Sequence, residues 1–96
     1  MKILIEKIST EKFEVSVSSH QLTKHLVTIK DETYFKLTKR LLGREELIEH
    51  SFKFLLERES SSSILSEFEL SKISNFFPEF DKFIEKLISD KNFSKN

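Results

Sequence analysis

The 96-residue sequence contains no cysteine, one glycine and one proline. Without cysteine there is no disulfide, no thiolate metal site and no thiol nucleophile. A single glycine nearly excludes the tight backbone approaches that nucleotide-binding loops use, and no Gly-x-Ser-x-Gly or His-Glu-x-x-His motif occurs. Long apolar runs are missing too. The opening MKILIEKIST is interrupted by Glu6 and Lys7, so neither a signal peptide nor a membrane span is expected and the default location is cytoplasmic. Nor is there an excess of one charge, because sixteen basic side chains balance sixteen acidic ones. With 38% apolar residues, the chain should fold as one domain over residues 1–96.

The residues that are present change period along the chain. Phe13, Val15 and Val17 alternate with polar neighbours, the pattern of a strand with one buried face. Apolar β-branched runs on either side predict a three-stranded antiparallel sheet over 2–8, 12–18 and 23–30, with Val27 and Ile29 on one face of the last strand and Leu26, Thr28 and Lys30 on the other. From Asp31, the expected N-cap, the spacing of Tyr34, Leu37 and Leu41 predicts a helix to Leu42, which Gly43 ends in the left-handed conformation. A second helix over 44–58 has apolar positions around more than half its circumference, so it should be central and contacted from two sides. Ser60–Ser63 reads as a flexible loop. Helices over 70–77 and 78–90 follow, separated at Pro78, and a frayed tail covers 91–96. The fold class is α+β, with three or four helices on the apolar face of the sheet.

Candidate sites are few. His50 and Ser51 diverge by about 100° on a helix and cannot act as a base and nucleophile pair. Glu46 and His50, four residues apart, have the spacing of a metal pair, but a solvated helical pair is far commoner. No catalytic residue, cofactor or metal is therefore expected. Charge is uneven: residues 20–44 hold six basic and two acidic side chains, whereas residues 45–96 hold seven basic and eleven acidic ones. Ten phenylalanines occur, seven of them between Phe52 and Phe83, at spacings suited to core packing. Their excess on the second helix points to Phe52, Phe54 and Leu55 as a partner or dimer surface, with a homodimer or an unknown protein as the partner.

Two resemblances accompany these patterns. The segments ELIEHSFKFLLERE and SILSEFELSKISNFFPEF resemble a family of short uncharacterised bacterial proteins over about residues 25–85. That likeness implies a bacterial origin and no particular activity. Residues 26–58, a strand, a helix, a glycine-containing turn and a longer helix, resemble the ribbon-helix-helix repressors and antitoxins. In that family the outward ribbon residues read the major groove, which here implies Leu26, Thr28 and Lys30, with Lys39, Arg40 and Arg44 as further cations at a DNA surface. A small non-catalytic interaction or regulatory protein that self-associates is the principal expectation, and a DNA-binding repressor or antitoxin is the alternative.

Overall fold

The computed structural model describes residues 1–93 and has α+β architecture. Three strands, β1 (Lys2–Lys7), β2 (Lys12–Ser18) and β3 (Leu22–Thr28), form an antiparallel meander. Helices α1 (Asp31–Thr38) and α2 (Arg44–Leu56) follow, then one 3₁₀ turn at Ser61–Ser63 and a short strand β4 (Glu67–Glu69). The last described elements are α3 (Lys72–Phe76) and α4 (Phe80–Phe93). The sheet order is β1-β2-β3-β4, with β4 parallel to β3, so the sheet has four strands and is mixed. This corrects the expected three-stranded antiparallel sheet. The segment around Phe68 pairs with β3 only after the chain has passed through two helices, and three residues are too short for alternation to announce a strand.

Side-chain alternation decides which face of the sheet is covered. Phe13, Val15, Val17 and Val27 are completely buried on the inner face, whereas Leu4 and Leu22 on the outer face are exposed. The helices supply the other half of the core. On α2, Phe52 turns toward the sheet, 5.4 Å from the His25 ring and 6.2 Å from Phe68. Phe54, two residues on, points the other way into Phe77, Phe80 and Phe83, at 5.8, 5.1 and 5.0 Å. α2 is thus contacted from two sides, as its wide apolar arc requires.

Several boundaries differ from the periodicity. α1 stops at Thr38 rather than Leu42, and Asp31 is its first helical residue, with Lys30 at the N-cap position. The left-handed residues are Lys39 (φ 50°) and Arg40 (φ 65°), not Gly43, which is extended at φ −69° and caps the start of α2. Three polar bonds hold this early exit. Thr38 Oγ1 donates to the Tyr34 carbonyl at 2.8 Å and accepts from Arg40 N–H at 3.0 Å, while Tyr34 Oη donates to the Leu42 carbonyl at 2.7 Å. Leaving the helix early lets Leu42 turn into the core.

The serine run forms one turn of 3₁₀ helix with Ser61 buried, and Ser60 Oγ lies 3.0 Å from Ser63 Oγ, so local hydroxyl bonding organises the segment expected to be a flexible loop. α3 is shorter than expected. α4 continues through Lys91–Phe93, part of the segment expected to fray, and the remainder of that expectation lies outside the described residues.

Candidate functional site

The structure places Phe52, Phe54 and Leu55 inside the single chain, all buried, and so corrects their assignment to an outer surface. The apolar arc that suggested a partner is filled by the sheet on one side and by α3 and α4 on the other. Leu55 also lines an opening. It forms one wall of a cavity of about 300 Å³ shared with Ile64, Leu65, Phe68, Ile73 and Phe76, where Glu59 and Lys72 add one charge of each sign. Leu65 and Phe76 are 48% and 65% exposed, so the apolar lining continues onto the surface.

Its position follows from local structure. The 3₁₀ turn carries the chain from α2 to β4 and buries Ile64, and β4 presents Phe68 to the core, 8% exposed. His25 fixes the loop in between. The Leu65 carbonyl can only accept, so His25 Nδ1, 2.8 Å away, donates to it, and Nε2 is hydrogen-bonded to Thr23 Oγ1 at 3.0 Å. Both ring nitrogens of this buried histidine are therefore satisfied, and it acts as a tie between β3 and the cavity wall. A buried histidine in a strand carries no local pattern announcing that role.

The basic residues are divided among structural tasks. Arg44 Nη1 donates to the Ile29 carbonyl at 2.7 Å, its Nη2 pairs with Asp31, and the guanidinium lies over the Tyr34 ring at 4.5 Å. The side chain is 17% exposed and is committed to the corner where β3 passes into α1 and α2. Lys30 sits at the same corner, its N–H donating to Glu69 Oε2 at 3.1 Å. Lys39 and Arg40 are exposed at the far end of α1. Thr28 lies on the outer face between Lys12 and Glu69, and Leu26 lies between Glu14 and Glu67. At the C-terminal end of β3, Leu26 thus has a carboxylate on each side and Thr28 has one, and there β2 and β4 occupy both edges of the strand.

Among the described residues two carboxylates are perturbed. Glu46 accepts from Lys91 Nζ at 3.1 Å and from Gly43 N–H at 3.3 Å, and these bonds, the lysine first, hold its carboxyl below the usual range. Burial pushes Glu69 upward, but hydrogen bonds from the Ser71 hydroxyl, Lys30 N–H, Ser71 N–H and the Thr33 hydroxyl outweigh it and leave the carboxyl lowered. Both act in capping and loop closure. Among the described residues no three His, Asp or Glu side chains converge on a possible metal position, so Glu46 and His50 acquire no third ligand. A second cavity of about 340 Å³, between α1 and the α3–α4 region, is lined by Leu37 and by polar residues that include Glu32, Lys36 and Asn75, and its Ser74 Oγ donates to Asp81 Oδ1 at 2.5 Å.

Among the described residues no helix is long and apolar enough to cross a membrane. No protein-family model, no curated protein and no solved structure matches the chain.

Proposed function

We propose that this chain is a small non-catalytic interaction protein of the bacterial cytoplasm, whose cavity between the end of α2, β4 and α3 receives an apolar segment of a partner protein. The observation that carries this reading is the exposure of Phe76 and Leu65 at the mouth of a cavity whose inner walls belong to the core. Phe76 is 65% exposed, and covering the rest of its ring is worth about 1–3 kcal/mol at about 25 cal/mol/Å², a favourable step that the isolated chain leaves unused. Glu59 and Lys72 provide one acceptor and one donor with which a partner backbone can be oriented. DNA recognition in the ribbon-helix-helix manner ranks second, because it needs a ribbon strand with a free edge and an outward face that tolerates phosphate.

The test replaces Phe76 with a photo-reactive phenylalanine analogue and irradiates the native host's extract. The expected result is one discrete adduct that excess wild-type protein competes away and excess Phe76→Ser does not. Equal competition by Phe76→Ser, or an adduct pattern identical to that from the same analogue at Lys24 on the outer sheet face, would reject the cavity as the binding site.

A further inference from the structure

The two edges of the sheet are not alike. The β4 edge is three residues long and carries Glu67 and Glu69, a short charged edge of the kind that discourages further pairing. The β1 edge is six residues long, has no proline, and pairs with β2 without a bulge from Lys2 to Lys7. Large apolar side chains gather beside it, for Met1, Leu4 and Ile8 are all more than half exposed. The bonding direction along β1 follows from its turn. Ile8 N–H donates to the Lys12 carbonyl at 2.9 Å, and the alternation of an antiparallel ladder then aims the N–H and C=O groups of Ile3, Ile5 and Lys7 away from β2.

We propose that β1 is the dimerisation edge of this protein, and that its occupant is β1 of a second copy, paired antiparallel about a two-fold axis through Leu4. In that register Lys2 stands opposite Glu6 twice, Ile3 stands opposite Ile5 twice, and Leu4 meets Leu4. From Lys2 to Glu6 every apolar residue meets an apolar one and every charge meets its opposite, and only Lys7, opposite Met1 at the end of the ladder, goes unmatched. Sliding by two residues in one direction places Leu4 opposite Glu6 and Ile3 opposite Lys7; sliding in the other places Lys2 opposite Leu4. A slide of one residue pairs outward-bonding residues with inward-bonding ones and puts apolar side chains on the wrong face. The product is a continuous eight-stranded sheet with the two β1 strands at its centre.

The proposal builds on the interaction-protein reading but uses none of the cavity residues, so the two fail separately. An edge contact of this length is small, and association is expected in the micromolar range. Sedimentation velocity across a concentration series tests it. The wild-type chain should pass from monomer to dimer. Leu4→Lys, at a side chain 54% exposed, should keep the circular dichroism spectrum and stay monomeric, because two like charges then meet on the axis. Lys2→Glu and Glu6→Lys alone should each weaken the dimer about tenfold, and the double exchange should restore it. A wild-type chain that is monomeric up to millimolar concentration overturns the proposal. So does a dimer indifferent to Leu4→Lys, or a double exchange no better than either single change. Phe76→Ser should dimerise as the wild type does.

Discussion

Phe54 offers the sharpest check on the packing described here, because one side chain joins α2 to the last two helices. It is 1% exposed, its ring sits 5.1 Å from Phe80 at 64° and 5.8 Å from Phe77 at 82°, and the Arg58 guanidinium carbon lies 3.6 Å above it. Truncating a buried Phe to Ala costs about 3–5 kcal/mol, and the edge-to-face partners and the stacked guanidinium place Phe54→Ala at the upper end. A domain of this size has about 5–15 kcal/mol in total, so Tm should fall by about 20 °C or more. Urea unfolding followed by far-ultraviolet circular dichroism measures the change directly. Phe54→Glu sets a carboxylate among the rings of Phe77, Phe80 and Phe83, where Arg58 at its edge offsets only part of the cost, and should leave no cooperative transition. The matched control is Phe76→Ala, 65% exposed, for which about 0.5 kcal/mol or less is expected. A folded Phe54→Glu chain, or a Phe54→Ala loss no greater than that of Phe76→Ala, would refute the placement of Phe54 between α2 and α4.

Two further predictions concern the ends of helices. At Gly43, extended at φ −69° and capping α2, an added Cβ meets only Glu46 Oε1 at 3.6 Å, so Gly43→Ser should stabilise the chain by about 0.5–1 kcal/mol through a new cap and a stiffer unfolded chain. A loss on denaturant titration would show that the turn needs glycine after all. Glu69 has a lowered carboxyl, so its contribution is complete above the ordinary value near 4.5 and fades as pH falls through the folded value. Glu69→Gln should therefore cost about 1 kcal/mol at neutral pH, allowing for solvent screening, and less in acid. A difference that is constant from pH 7 to pH 3 would contradict that linkage.

Where the signal is a repeating local choice, sequence and structure agree closely. The alternation of Phe13, Val15 and Val17 against Glu14 and Ser16 is β2 to the residue, and Phe80, Ile84 and Ile88 form the buried stripe of α4. Where the outcome depends on a distant segment, local reading fails. α1 is read as running to Leu42 because Leu41 keeps the helical period, yet Leu41 is exposed and Leu42 is the residue drawn inward. Thr38 and Tyr34 decide that exit through bonds to backbone groups, and hydrogen-bond geometry leaves no periodic mark. β4 exists because Leu26 N–H and the Thr28 carbonyl are open on that side of β3, where Ser66 O and Leu70 N–H complete them at 2.8 and 2.9 Å.

The apolar excess on α2 shows why interaction surfaces are harder to read than cores. A helix with too many apolar positions needs a second neighbour, but the pattern is the same whether that neighbour is a later part of the chain or another molecule. Here it is Phe77, Phe80 and Phe83, and the partner surface assigned to Phe52 and Phe54 disappears into the fold. A better indicator lies where apolar residues violate the period of the element that contains them. Three consecutive apolar residues, Ile3, Leu4 and Ile5, cannot share one face of a strand, so in a sheet covered on one face only, one of them must point away from the core. That residue is Leu4, exposed on the outer face of an edge strand. Phe76 is a different case: three residues after the buried Ile73 it keeps the helical period of α3, yet its ring is 65% exposed. The break in alternation at Leu4 thus marks the sheet edge before any helix is placed, whereas the exposed ring at the cavity mouth keeps the helical period and emerges only from how α3 is seated.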